Sequence, residues 1–136
     1  MTGAPRDIIV VGAGIIGCLT GYLLAKQGVK VTILERDSVA SHASGFAFGE
    51  MGALEGAGIP DPLLEFSLWC NRRHQTLAEE LMEVSGNDSQ FRICNRLTLA
   101  FDQQAVDYAK ESLQWQDKIA DFTTQWVDTA QAMEVE

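Results

Sequence analysis

The chain has 136 residues, of which 46% are hydrophobic and 21% are charged, and its net charge is −9. This length and balance predict about one globular domain and argue against a disordered chain. Residues 1–60 carry a net charge of −1 and residues 61–136 a net charge of −8. Because no basic patch results, we expect neither nucleic acid nor an anionic membrane as a partner.

The cysteines indicate a reducing compartment. Cys18, Cys70 and Cys94 are far apart and odd in number, no Cys-x-x-Cys occurs, and only two histidines are present, so we expect no metal site. Reduced thiols, an N-terminus without signal-peptide features and an apolar run (IIVVGAGIIG) too short to span a bilayer of ~30 Å predict a cytoplasmic protein.

The first elements are predicted to be strand, glycine turn, helix and strand. The β-branched run Ile8–Val11 predicts a strand buried on both faces. Residues 18–27 predict a helix that Gly28 ends, and Lys30–Leu34 (KVTIL) predicts a second strand. This order is typical of a nucleotide-binding unit.

An irregular loop of small residues, 38–60, comes next. A long helix is then predicted from Asp61, as N-cap, and Pro62, as first helical residue, to about Val84. We interpret His74 on this helix as a packed histidine, not a catalytic one. The predicted buried stripe comprises Phe66, Cys70, His74, Leu77, Leu81 and Val84.

The last part of the chain predicts a mixture of strands and helices. Residues 91–94 and 97–101, joined by Asn95-Arg96, predict a β-hairpin. Residues 103–122 predict a third, acidic helix, residues 123–127 a short strand, and residues 129–133 a further helical turn.

The glycine turn has the spacing of a dinucleotide-binding motif, Gly-x-Gly-x-x-Gly. Gly12 permits the tight turn, Gly14 lets the backbone approach a pyrophosphate, and Gly17 allows close packing of helix and strand. The following helix presents free N–H groups and a positive dipole end to phosphates. We therefore expect the cofactor to contact the whole turn, which comprises Val11, Gly12, Ala13, Gly14, Ile15, Ile16 and Gly17.

Glu35 ends the second strand, 18 residues after Gly17. A carboxylate there can accept hydrogen bonds from both ribose hydroxyls of an adenosine and would repel a 2′-phosphate, which argues against NADP. The alternative is a surface glutamate at a strand end. These residues alone do not separate FAD from NAD.

A resemblance over longer stretches of the chain favours FAD over NAD. About residues 7–134 resemble the D-amino-acid-oxidase-like family of FAD enzymes, in its glycine and sarcosine oxidase branch. The matching stretches are VVGAGIIGCLTGYLLAKQG, LERD, SHASGFAFGEMGA, LLEFSLWCNRRHQTLAEELMEVSG and RLTLAFD. The resemblance implies an α/β fold: the N-terminal part of a Rossmann-like, glutathione-reductase-like FAD-binding domain plus the first hairpin of an α+β substrate domain. The implied division is 1–60 for the βαβ unit and flavin loop, 61–90 for the long helix, and 91–136 for the start of the substrate domain.

The resemblance also implies roles for the loop residues. The loop would pass along the pyrophosphate, ribityl chain and ring of the flavin, with Ser44 bonded to a phosphate or ribityl oxygen. Met51 and Gly52 would lie near the isoalloxazine, Met51 close to the substrate. The other cofactor-binding residues implied are Arg36, His42, Ala43 and Gly45.

His42 has three interpretations. In related dimethylglycine and sarcosine dehydrogenases a histidine before Ala-Ala-Gly carries the flavin covalently, whereas His42 precedes Ala-Ser-Gly. The residues before it, Ala40-Ser41, depart from the Thr-Trp of those enzymes. A non-covalent flavin contact is therefore favoured over covalent attachment, and a solvent-facing loop histidine is the third interpretation.

The implied activity is oxidation of the C–N bond of an amino acid or secondary amine by hydride transfer to flavin. The family's substrate-clamping Arg and Tyr come from later in its chains, so we expect no catalytic residue here, an N-terminal fragment, and no oxidase activity from it alone. The expected partners are the amine or amino-acid substrate and either further copies of the full-length form, as a homo-oligomer, or a complementary chain. The competing hypotheses are an NAD-dependent dehydrogenase and a non-catalytic dinucleotide-binding module or small subunit.

Overall fold

The computed structural model describes residues 7–56 and 58–135. Their backbone contacts divide the chain into two units, residues 1–50 and residues 51–136. The elements within the described residues are, in chain order, β1 (Asp7–Val11), α1 (Ile15–Lys26), β2 (Lys30–Leu34), α2 (Leu64–Ser85), α3 (Gln103–Gln116) and α4 (Thr129–Val135).

The first unit is a βαβ arrangement, as the sequence predicts. β1 and β2 are parallel and pair in register from Asp7 with Lys30 to Val11 with Leu34. α1 connects the two strands and packs on them. It begins at Ile15, three residues earlier than predicted, because the turn leads directly into the helix with Gly14 as N-cap. Gly28, with a φ of 78°, follows its end as expected.

The prediction that the first strand is buried on both faces is wrong. Exposure alternates along β1, and the side chains of Ile9 and Val11 are 64% and 85% exposed. Among the described elements, β1 contacts only β2 and α1. A single helix covers one face of a two-stranded sheet, so the other face stays open.

The long helix of the second unit begins later than predicted. Its N-cap is Leu63, which makes no side-chain cap bond, so Asp61 and Pro62 are not its first residues. The Leu63 N–H donates to the Gly58 carbonyl oxygen at 2.7 Å, which keeps the preceding backbone in turns. The helix ends at Ser85, and Gly86 follows in the left-handed region.

The buried stripe of α2 is narrower than predicted. Leu68 and Leu77 are buried, whereas Phe66 and Val84 are exposed and His74 is half-buried. No other described helix or strand packs against α2, so only loop segments cover it. The Ser67 hydroxyl, for example, donates to the Ala53 carbonyl oxygen at 2.8 Å.

The predicted hairpin does not form in the described structure. Residues 86–101 contain no strand, and their apolar side chains are largely exposed. A two-stranded hairpin is hardly stable by itself in water and needs a third strand or a helix packed on it, and the described chain supplies neither there. The same reason applies to residues 123–127, which also form no strand.

α3 starts where predicted and ends early. The Asp102 carboxylate accepts the Ala105 N–H at 2.8 Å and so caps its first turn. The helix stops at Gln116, because the N–H groups of Lys118 and Ile119 donate to carbonyls three residues back and the backbone tightens into turns. The predicted final helical turn is present as α4.

Candidate functional site

A cleft of about 350 Å³ lies in the first unit, where β1 ends and α1 begins. Most residues of the predicted cofactor turn line it, together with Ser44, while Ala13 is buried. Thr20 and Val10 also line it and were not predicted. Thr20 stands three residues after Gly17, and this helical spacing is a signal that could have indicated it. The lining comprises Val10, Val11, Gly12, Gly14, Ile15, Ile16, Gly17, Thr20 and Ser44.

The glycine turn is held tightly between the strands and the helix. The Gly12 N–H donates to the Leu34 carbonyl oxygen at 2.7 Å. A Cβ on Gly17 would overlap the carbonyl oxygen of Gly12, and a Cβ on Gly14 would stand 3.0 Å from the Ser44 hydroxyl oxygen. The missing side chains therefore let α1 begin against the turn and keep the cleft floor made of backbone.

The N-terminus of α1 supplies the donors of the cleft. The Ile15 N–H donates to the Ser44 hydroxyl oxygen at 3.0 Å. The other first-turn N–H groups have no acceptor earlier in the helix, as at every helix start. The positive end of the helix dipole and these amides together favour a phosphate in this place.

The Glu35 carboxylate accepts three backbone N–H groups. Oε2 accepts from Ala13 at 2.7 Å, and Oε1 accepts from Arg36 at 2.8 Å and from Asp37 at 3.0 Å. The hydrogen bonds from Asp37, Ala13 and Arg36 lower the pKa of Glu35, against a smaller effect of burial. Glu35 is therefore an anion at neutral pH, as a ribose-binding carboxylate must be.

The segment after Glu35 folds back onto the turn. The Ala40 N–H donates to the Ala13 carbonyl oxygen at 3.0 Å, and Asp37 Oδ2 lies 2.7 Å from His42 Nε2. Arg36 Nε donates to the same Asp37 oxygen at 3.2 Å. Asp37 is thus a site residue that the sequence does not indicate, because nothing in its local pattern shows that the loop returns His42 to it.

Of the predicted loop residues, Ser44 reaches the turn through its side chain. Gly45 closes a local turn, since its N–H donates to the His42 carbonyl oxygen at 2.9 Å, and Ala43 is exposed. Met51 and Gly52 begin the second unit, where Gly52 lies beside an ion pair between Arg96 and Glu55 of 2.6 Å. Their place near a flavin ring stays a prediction.

No group of three or more His, Cys, Asp or Glu residues in the described part of the chain could hold a metal ion. Across residues 7–56 and 58–135, no helix combines the length and the apolar character that crossing a membrane requires.

Comparison with known proteins identifies the family. The profile of the family described as "FAD dependent oxidoreductase" matches residues 7–136. The chain belongs to this family. Among curated members, it is 32% identical over 114 residues to glycine oxidase of Bacillus licheniformis, covering 80% of this chain and 31% of that protein. It is 31% identical over 130 residues to glycine oxidase of Geobacillus kaustophilus strain HTA426, covering 96% and 34%.

The solved structures agree with this assignment. The crystal structure of glycine oxidase from Geobacillus kaustophilus superposes with a TM-score of 0.86 at 30% identity. The match covers 97% of this chain and 35% of that one. The chain therefore spans about a third of the length of the relatives it matches, and its α/β, Rossmann-like fold is that of an FAD-binding domain.

The cofactor of this FAD-dependent oxidoreductase family is FAD, which decides between FAD and NAD. The residues that line the cleft, and Glu35 beside the glycine turn, fit this cofactor. Backbone amides at the α1 N-terminus suit the pyrophosphate, the Glu35 anion suits a ribose hydroxyl, and the Ser44 hydroxyl can donate to a phosphate oxygen while it accepts from Ile15.

Proposed function

We propose that this chain forms the nucleotide-binding part of an enzyme that oxidises the C–N bond of an amino acid or secondary amine. The observation that carries the proposal is the similarity to glycine oxidases over almost the whole chain, with 96% of it aligned to one of them. Those relatives are named for an amino-acid substrate. Membership of an FAD-dependent oxidoreductase family supports the redox part of the proposal.

The residues of the first unit bind and orient the nucleotide half of the cofactor. The N-terminus of α1 and the glycine backbone would hold the pyrophosphate, and Glu35 would accept a hydrogen bond from the ribose. Ser44, fixed by the Ile15 N–H, would donate its hydroxyl hydrogen to a phosphate or ribityl oxygen.

Bound FAD supplies the acceptor for a hydride from the Cα–H of the substrate amine. In the proposal His42 makes a non-covalent flavin contact, and Met51 and Gly52 border the ring near the substrate. Arg36, Ala43 and Gly45 complete the cofactor-binding set. We assign no catalytic role to any residue of this chain, and the clamp for the substrate carboxylate belongs to other residues. The cytoplasmic location expected from the sequence is part of the same proposal.

Anaerobic reduction of the bound flavin tests the proposal. The purified protein is saturated with FAD, and its visible absorbance is recorded before and after addition of glycine, sarcosine or a D-amino acid. Because the substrate clamp belongs to residues outside this chain, we expect no amine to bleach the flavin of this chain alone. Once the chain is extended to the length of its relatives, at least one of these amines should bleach the flavin, whereas N-acetylglycine, which has no basic nitrogen, should leave it oxidised. A flavin that only 2-hydroxy acids reduce would contradict the proposal.

If no amine reduces the bound flavin of the extended protein, the result would instead favour the alternative, a non-catalytic FAD-binding module or a small subunit completed by another chain. Addition of candidate partner chains followed by the same assay separates these two. The oligomeric state of the FAD-loaded protein, measured by light scattering, tests the expected homo-oligomer.

A further inference from the structure

We propose that Asp37 is a positioning residue of the FAD site, which holds His42 and thereby keeps Ser44 against the glycine turn. The inference rests on the proposed placement of FAD along that turn. Neither the motif nor the family resemblance assigns a role to Asp37, and the contacts of its side chain and backbone provide the argument.

Asp37 connects the ribose end of the site with the loop. Its backbone N–H donates to Glu35 Oε1 at 3.0 Å, and its Oδ2 lies 2.7 Å from His42 Nε2. The same oxygen accepts from Arg36 Nε at 3.2 Å. A distance of 2.7 Å is typical of a charge-assisted hydrogen bond, and the acceptor here is a carboxylate. One residue thus joins three residues predicted to bind the cofactor.

The bridge determines where Ser44 lies. Asp37 and His42 close a short segment, and the Ala40 N–H within it donates to the Ala13 carbonyl oxygen. The chain then turns immediately, because the N–H groups of Gly45 and Phe46 both donate to the His42 carbonyl oxygen. Ser44 lies inside that turn and reaches the Ile15 N–H. A displacement of His42 would therefore displace Ser44.

The bridge also selects the tautomer of His42. With a carboxylate at Nε2, this nitrogen carries a proton, so in the neutral ring Nδ1 is the acceptor. The two side chains are 63% and 48% exposed. An exposed pair of this kind contributes little to affinity, and we expect its loss to weaken FAD binding by about two- to fivefold.

The test uses the purified protein with and without FAD, and the variants Asp37→Ala, Asp37→Asn, His42→Ala and Asp37→Ala/His42→Ala. FAD affinity is measured by quenching of flavin fluorescence. Hydrogen exchange of the Ile15 amide in the FAD-free protein reports the Ser44 contact directly. The nitrogen chemical shifts of the His42 ring report its tautomer. The matched control is Asp7→Ala, which removes the same charge and breaks an exposed ion pair with Lys30. Asp7 is at the start of β1, about 13 Å along the strand from the end that leads into the glycine turn.

We expect Asp37→Ala to weaken FAD binding, to accelerate exchange of the Ile15 amide and to mix the His42 tautomers. Asp37→Asn should largely restore all three, since its side-chain oxygen can still accept from Nε2–H. The double variant should bind FAD no more weakly than His42→Ala, because Asp37 acts through a bridge that His42→Ala already removes. The control should match the unaltered protein.

Three results would overturn the inference. These are unchanged FAD affinity and Ile15 exchange in Asp37→Ala, additive losses in the double variant, or an equal loss in the Asp7 control. Absence of FAD binding by the unaltered protein would overturn the proposed placement of the cofactor, and the role of Asp37 with it. The two failures are therefore distinguishable.

Discussion

Replacement of Gly17 by alanine tests whether close backbone approach builds the cofactor cleft. A Cβ at this position would overlap the carbonyl oxygen of Gly12 and stand 3.4 Å from Val10 Cγ1. Gly12 cannot simply retreat, because its N–H is bonded to the Leu34 carbonyl oxygen at 2.7 Å. The start of α1 must therefore move away from the turn, by roughly an ångström or more to restore ordinary contact distances.

Two opposing contributions determine the effect on folding. Overpacking of this kind costs about 1–3 kcal/mol. Alanine is also the better helix former by about 1 kcal/mol. We therefore expect the free energy of unfolding to fall by about 0–2 kcal/mol, which leaves a folded protein. FAD binding should suffer more, because hydrogen bonds to phosphate fail when their donors move by about an ångström. Loss of one such bond to a charged group weakens binding about ten- to hundredfold.

Flavin-fluorescence titration gives the affinity of the Gly17→Ala protein, and urea denaturation gives its stability. The matched control is Gly28→Ala at the other end of α1, about 16 Å away along the helix. Gly28 has a φ of 78°, and a Cβ added there would meet no atom within 4 Å, so the alanine is strained by about 1 kcal/mol without touching the turn. An unchanged FAD affinity for Gly17→Ala, or equal losses in the two variants, would refute the reasoning.

Two further predictions concern Ser44, which lines the cleft, and Glu35, whose carboxylate accepts the Ala13 N–H of the glycine turn. Ser44→Val removes the acceptor of the Ile15 N–H and the proposed donor to a phosphate or ribityl oxygen, so FAD affinity should fall about tenfold. Ser44→Thr keeps the hydroxyl and should retain most of the affinity. Equal affinity for the valine and serine proteins would contradict the role of Ser44. Glu35 has a pKa below its ordinary value of 4.5, so its stabilising contribution is present above that value and is lost as pH falls through the lowered pKa. Between about pH 6 and about pH 3, the free energy of unfolding from urea denaturation should therefore depend less on pH for Glu35→Gln than for the unaltered protein. The same dependence of this free energy on pH in both proteins would count against the carboxylate contacts.

The nucleotide-binding unit was predictable because its signals are local. The run Lys30–Leu34 has a β-branched centre, Val31–Ile33, and its bounds agree with β2. The turn is recognisable from its glycines, because the close packing of helix and turn leaves no room for a side chain, as the overlap of a Cβ on Gly17 with the Gly12 carbonyl oxygen shows. Gly28 ends the helix in the left-handed conformation expected of that position. Such features depend on a few neighbouring residues, which a sequence displays directly.

The second unit was harder to predict because its signals depend on distant partners. Residues 91–101 have the composition of strands, yet they form none in the described structure, since no partner strand pairs with them. Asp61-Pro62 has the pattern of a helix start, but the Leu63 N–H is already bonded to the Gly58 carbonyl oxygen, and that turn delays α2. Phe66 is exposed because no described helix or strand packs against α2.

The dinucleotide-binding motif predicts Glu35 as a ribose-binding residue, but it does not indicate that the carboxylate also holds the surrounding backbone. A carboxylate has about four acceptor positions, and the N–H groups of Ala13, Arg36 and Asp37 occupy three of them. About one remains for a ribose hydroxyl, so the group that we propose binds the nucleotide also connects the glycine turn to the loop. The Ser44 hydroxyl accepts one hydrogen bond from the turn, from the Ile15 N–H. If Glu35→Gln accelerates hydrogen exchange of the Ala13 amide in the FAD-free protein, the geometry of the turn depends on this carboxylate before any ribose is bound.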